Sequence, residues 1–169
     1  MSRRLGTGAK VAIVVGAAVL GLLAARALRN PGPAVPPEPV AVGDELPIEE
    51  LGLDGEHDAL LVALSPDCQH CTDSMPFLRE LVLARNLERG DLQVVALVAD
   101  DGDLGRESTA LATAGVPVDN LLAADFEDLR IPGTPYLVLV DPSGRVEAVW
   151  RGSVDAERGA GILVELGLR

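Results

Sequence analysis

Aromatic residues are nearly absent from this 169-residue chain, which holds two Phe, one Tyr and one Trp. Its core must therefore be built from Leu, Val and Ala, with Trp150 expected as a packing residue at a strand end. Cysteine is as scarce, and two cysteines cannot supply the framework of bridges that staples a small secreted fold. Beyond residue 29 positive charge is in short supply as well: nine basic side chains stand against 26 acidic ones, a net of −17. So acidic a body argues against nucleic acid or anionic lipid surfaces as partners, though it says nothing about fold. Residues 1–29 reverse the balance, with five basic side chains and no acid.

What cysteine there is stands in an informative place. Cys68 and Cys71 lie in Ser65-Pro66-Asp67-Cys68-Gln69-His70-Cys71, between a continuously apolar run at residues 59–64 and a stretch at 72–87 with helical spacing. The first run predicts a strand buried on both faces. The second carries apolar residues at Met75, Leu78, Val82 and Leu83, with Leu81 and Leu87 nearby, and has Arg79, Glu80, Arg85 and Glu88 spaced for the wet side. The cysteines therefore open a helix, whose unpaired N–H groups and positive dipole end favour a nearby anion by about 0.3 to 1 kcal/mol. Thiolate is the species that attacks a disulfide. Cys68, nearer the loop, is expected as the exposed nucleophile, and Cys71, one turn on, as the thiol that resolves the mixed disulfide.

Two neighbours act on that thiolate in opposite senses. Asp67 is a negative charge next door; at roughly 7 Å in a watery setting it costs the anion about 0.6 to 1 kcal/mol, enough to offset the dipole. A protonated His70 would favour the anion, and each pKa unit of lowering is worth about 1.4 kcal/mol to the reduced state. Other roles for the pair fare worse. A bridge across two residues removes almost no chain entropy, so it makes a poor staple. His57 and His70 could complete a four-ligand set with the cysteines, but one precedes the strand and the other lies between the cysteines, unlike zinc spacing; no metal site is expected.

At the N-terminus, residues 11–25 are uncharged and apolar, flanked by Lys10 and Arg26. With those two side chains snorkelling, residues 6–28 cover a bilayer, so residues 1–29 read as a transmembrane anchor. A cleaved signal peptide is the rival reading, with Ala25-Arg26-Ala27 as its cleavage motif. Either way the body leaves the cytoplasm, which the basic residues ahead of the span also favour. Five prolines within residues 30–39 make residues 30–42 a semi-rigid linker, and residues 43–169 one folded domain.

Within that domain residues 92–98 read as a strand and Asp100-Asp101-Gly102-Asp103 as a turn capping the next helix rather than a calcium loop. Residues 104–114 form that helix, stopped by Gly115. A short apolar piece follows at 121–124, then one or two helical turns at 125–129. Two apolar runs joined by Asp141-Pro142-Ser143-Gly144 form a hairpin with Pro135 at its mouth, and residues 154–168 close with a helix. The pattern is α/β: a mixed sheet with helices on its faces.

The order of strand, Cys-x-x-Cys at a helix start, Pro76 five residues after the second cysteine, strand, helix, Gly133-Thr134-Pro135, hairpin and final helix resembles the thioredoxin superfamily. The N-terminal anchor, the insert at residues 100–129 and the hairpin beginning at Leu137 are similar to membrane-anchored TlpA/ResA-like thiol-disulfide oxidoreductases. The resemblance implies a thioredoxin-like mixed sheet flanked by helices, with an N-terminal transmembrane helix. It implies that Cys68 attacks, that Cys71 resolves, that Pro135 is a cis-proline, and that Thr134 and Pro135 offer backbone to an extended polypeptide. His70 stands where strongly oxidising members carry histidine. It further implies a single-pass protein of the bacterial cell membrane facing the periplasm, in the setting of cytochrome c biogenesis. Its partners would be protein thiols and disulfides and a membrane electron donor or acceptor, with no cofactor beyond the dithiol.

The chain departs from that pattern twice. Asp67 replaces the usual aromatic before the first cysteine, and Val62 stands where many members place a buried acid that handles the proton of the resolving thiol. Ser65-Pro66-Asp67 also echoes methylamine-utilisation accessory proteins of the same superfamily. Two alternatives accompany the oxidoreductase reading: a peroxiredoxin-like peroxide reductase, which wants an arginine beside a lone thiolate, and a copper- or haem-delivery chaperone, which suits soft thiolates but wants another ligand spacing.

Overall fold

The computed structural model describes residues 37–100 and 102–168. The expected anchor at 1–29, most of the linker at 30–42, and Asp101 of the acidic turn lie outside the described residues. Among the described residues no helix is long and apolar enough to cross a membrane.

Among the described residues five strands and three helices follow one another: β1 (Ala59–Leu64), α1 (Gln69–Glu88), β2 (Gln93–Ala99), α2 (Leu104–Ala114), β3 (Asn120–Ala124), β4 (Tyr136–Val140), β5 (Val146–Arg151) and α3 (Ala156–Glu165). The strands form one mixed sheet in the order β3-β2-β1-β4-β5. β1, β2 and β3 run parallel, which their helical crossovers require, while β4 and β5 are antiparallel to their neighbours. All six side chains of β1 are buried, as its unbroken apolar run predicts for a central strand.

The helices begin and end where short-range signals place them. Asp103 and Asp155 cap α2 and α3 by accepting from the backbone N–H groups of Arg106 and Arg158. Gly115 ends α2 in the left-handed conformation at φ 70°. α1 carries Pro76 in its interior, and α3 lies so close to α1 that a Cβ on Gly159 would stand 2.6 Å from the Phe77 ring. The segment expected as helical turns at 125–129 is a series of hydrogen-bonded turns, closed by Leu129 N–H to Asp125 O and Arg130 N–H to Glu127 O.

The mixed sheet and its flanking helices agree with expectation; the covering of its second face does not follow the alternating pattern. Leu60, Val62 and Leu64 of β1 pack with Phe77, Leu81, Leu111 and Ile162, so all three helices lie over one face. Ala59, Leu61 and Ala63 pack instead with Val40, Leu46, Leu51 and Ile131, from the segment before β1 and the turns before β4. A run with no periodicity of its own still covers a sheet if a few of its apolar side chains reach it.

A second correction concerns α1. Arg85, expected on the wet side, is 8% exposed and donates from Nη2 to Asp119 Oδ2 at 2.8 Å. The same Asp119 oxygen accepts the Val94 backbone N–H at 2.7 Å, so the buried guanidinium is paired with a carboxylate that also anchors the start of β2. Arg85 lies seven residues after Leu78 and four after Leu81, so helical phase turns it inward, and a carboxylate 34 residues away in sequence pairs its charge there.

Candidate functional site

β1, the middle strand, delivers the cysteines beyond its C-terminal end. It pairs in parallel with β2 up to Leu64–Val98 and antiparallel with β4 at Ala63–Tyr136, so the end of β1 lies beside the start of β4. The loop after Leu64 therefore meets Thr134 and Pro135. The Thr134–Pro135 peptide is cis, and the Cys68 thiol donates to the Thr134 carbonyl oxygen at 3.3 Å. Residues 66 apart in sequence are joined at one point.

The two sulfurs, both free thiols, occupy different surroundings on one helical turn. Cys68 is the N-cap of α1: its Sγ is partly exposed and accepts the Cys71 backbone N–H at 3.3 Å. Cys71 is 1% exposed, in the core beside Leu64 and Leu78. Burial alone would push both thiols up. At Cys68 it is outweighed by hydrogen bonds from Cys71 and Thr134 and by the backbone N–H groups of Cys71 and His70, which hold its pKa below the ordinary thiol value. At Cys71 burial dominates, the bond to Cys68 adds to it, and the thiol is pushed up to about 12. One sulfur is primed to ionise and the other to keep its proton.

His70 and Asp67 are each held by a distant element. His70 Nδ1 lies 2.7 Å from Ser153 Oγ, on the loop between β5 and α3. Its backbone carbonyl accepts from Ser74 Oγ at 2.7 Å, and that hydroxyl accepts the Val154 N–H at 2.9 Å. The His70 contribution to Cys68 thus comes through its backbone N–H, while the ring is turned to Ser153. Asp67 is met by Arg106 of α2 in a fork, Nη1 to Oδ2 at 3.1 Å and Nη2 to Oδ1 at 2.7 Å. The Arg106 hydrogen bonds, then its charge, hold the Asp67 carboxyl below the usual carboxylate range. With Pro66, Thr72 and Met75, Arg106 lines a groove between α1 and α2 beside the dithiol.

Arg106, Ser153 and Ser74 carry no motif, and the sequence reading singled out none of them. The only available signal was charge: an arginine on the exposed side of a helix next to a lone carboxylate at the motif. Glu107 was missed too. It is wholly buried, neither carboxylate oxygen is hydrogen-bonded among the described residues, and burial pushes its pKa up. Val62, where the expected acid is lacking, is 1% exposed among apolar neighbours. His57 pairs with Asp54 at 2.8 Å, and among the described residues no three His, Cys, Asp or Glu side chains gather as a metal site would need.

No protein-family model matches the chain, and no curated protein sequence matches it. Solved structures do. The thioredoxin domain of a thiol-disulfide oxidoreductase from Bacteroides vulgatus superposes with a TM-score of 0.57 at 15% identity, over 75% of this chain and 98% of that one. A thiol:disulfide interchange protein from a Bacteroides species gives 0.56 at 18%, over 75% and 90%. A secreted Mycobacterium tuberculosis disulfide oxidoreductase, described as homologous to DsbE of E. coli, gives 0.51 at 18%, over 65% and 84%. At such identities the likeness establishes the fold alone: a thioredoxin-like mixed sheet with flanking helices.

Proposed function

We propose that this chain is an extracytoplasmic thiol-disulfide oxidoreductase that exchanges disulfides with protein cysteines through Cys68 and Cys71. The observation that carries the reading is the contrast between the sulfurs: a partly exposed thiol lowered by hydrogen bonds at a helix N-terminus, three residues before a buried thiol raised to about 12. A structural bridge has no use for that asymmetry, and a pair of metal thiolates would want both sulfurs ionised.

In the reducing direction the Cys68 thiolate attacks one sulfur of a client disulfide; that S–S bond breaks, a Cys68–client bond forms, and the other client sulfur leaves as thiolate. Cys71 then gives up its proton and attacks the Cys68 sulfur. The second client thiolate departs, and the chain is left with a Cys68–Cys71 disulfide and the client with two thiols. Oxidation of a client dithiol is the same path reversed, with Cys71 leaving and regaining its proton. Thr134 and Pro135, beside Cys68, offer backbone to an extended client segment, and the Thr134 carbonyl is already within reach of the sulfur. No cofactor beyond the dithiol takes part. The lowered Cys68 stabilises the reduced form and so makes the couple an oxidant, with His70 and Asp67 tuning it.

Location outside the cytoplasm is supported by the apolar, base-flanked run at residues 11–25 and by the secreted state of the Mycobacterium tuberculosis neighbour. With residues 1–29 as a single-pass anchor, the domain would face the periplasm and exchange electrons with a membrane partner.

Equilibrating the protein against glutathione buffers tests the reading. A potential of about −120 to −180 mV is expected. A value of about −270 mV or lower would make the chain a reductant, and no exchange at all would overturn dithiol chemistry in favour of metal delivery or structure.

A further inference from the structure

At the redox motif Asp67 is the puzzling residue. A carboxylate next to the attacking sulfur opposes the thiolate that attack requires. The structure answers with Arg106, reached across 39 residues of sequence, whose guanidinium takes both Asp67 oxygens at 2.7 and 3.1 Å. Such two-point pairing fixes the orientation of the carboxylate as well as its charge, which a lysine could not do. Arg106 stands in the first turn of α2, one residue from buried Glu107 and three from the cap Asp103, so its own backbone is held rigidly. Asp103 and Glu107 are the acids that face it from its own element, and Asp67 faces it from the loop before α1. On α1 itself the nearby charged or titratable side chains are engaged elsewhere: Asp73 accepts from Gln69 at 2.8 Å, and His70 meets Ser153.

We propose that Arg106 is a positioning residue of the redox centre: by clamping the Asp67 carboxylate it cancels the charge that would oppose the Cys68 thiolate, and so keeps the dithiol oxidising. The inference rests on the oxidoreductase reading and deepens it, because it makes the helix inserted between β2 and β3 a regulator of the couple. Both partners of the clamp are exposed, so its effect is electrostatic, modest and sensitive to salt.

Releasing Asp67 by Arg106→Gln restores a carboxylate charge near the sulfur. The Cys68 thiol should then titrate about half a pH unit higher at low ionic strength, a three- to fivefold loss of thiolate. In the equilibrium of protein dithiol with one oxidised glutathione, giving protein disulfide and two reduced glutathiones, the constant should rise about three- to fivefold. That corresponds to a couple about 14 to 21 mV less oxidising.

The test is made on the full chain with four proteins: wild type, Arg106→Gln, Asp67→Asn, and the double variant. Thiolate absorbance gives the Cys68 titration, and glutathione equilibration gives the constant. The expected result is a shift in Arg106→Gln that shrinks in about 1 M salt and is undone in the double variant, which has neither charge. An unshifted Arg106→Gln overturns the proposal. So does a shift that persists in the double variant, because a displaced α2 would act whether or not Asp67 is charged. If the wild type fails to exchange with glutathione, the oxidoreductase reading falls, while the thiol titration still decides whether the clamp acts on Cys68.

Discussion

Cys68 and Cys71 share one turn of one helix, yet the first is lowered and partly exposed while the second is buried and raised to about 12. The spacing that makes the motif recognisable is not what separates them. Cys68 caps the helix, where N–H groups have no intrahelical partner and point at its sulfur. Cys71, three residues on, lies inside the helix and is buried in the core that also holds Leu64 and Leu78. A difference of environment over three residues thus divides one chemical type into attacker and resolver.

The sharpest way to break that comparison is to remove each sulfur. Cys68→Ser should abolish exchange altogether. Cys71→Ser should still attack but stop at the mixed disulfide, which a gel without reductant will show as a covalent adduct with a client; reversal of the two phenotypes would reverse the assignment. Next in size is alkylation of the reduced protein. Cys68 is held below the ordinary thiol value and Cys71 is pushed up to about 12, so at pH 8 the thiolate is carried almost wholly by Cys68. Mass spectrometry after a short iodoacetamide pulse should find the label on Cys68 alone, and equal labelling would show that the two environments interconvert.

The smallest effect concerns the other buried titratable group. Arg85 is buried with a carboxylate beside it, and Glu107 is buried with no hydrogen-bond partner among the described residues. Glu107→Met, which keeps the length and removes the carboxyl, should stabilise the fold by about 1 to 3 kcal/mol at pH 8 in urea unfolding. The raised pKa also fixes a sign: the folded state holds a proton that the unfolded state has released. Wild-type stability from this group is therefore greatest below the ordinary glutamate value and falls as pH rises through the raised one. Glu107→Met should lose that slope, and a destabilised variant would mean that the carboxyl has a partner.

Much of the fold was legible before any coordinates. The apolar run of β1, the acidic turn that caps α2 at Asp103 and the stop at Gly115 speak through contacts a few residues long; each was read at or near its observed place. The site was legible in its sulfurs for the same reason, since a helix cap is a local event. Arg85 was misread on its charge: it shares the helical phase of Leu78 and Leu81, and nothing local announces the carboxylate that arrives to pair it. Ser153 and Arg106 went unseen because neither shares a local pattern with the residue it holds.

By itself, then, the sequence determined the elements, their order and the dithiol at a strand-to-helix junction, all set by backbone preferences and hydrophobic period within a turn or two. The tertiary structure alone decided what surrounds the dithiol: Thr134 at 66 residues' separation, Ser153 at 83 from His70, and Arg106 at 39 from Asp67. The physical reason is that pairing of β1 with β2 and β4 closes long loops, and only once they are closed do those side chains have positions to charge or to bond.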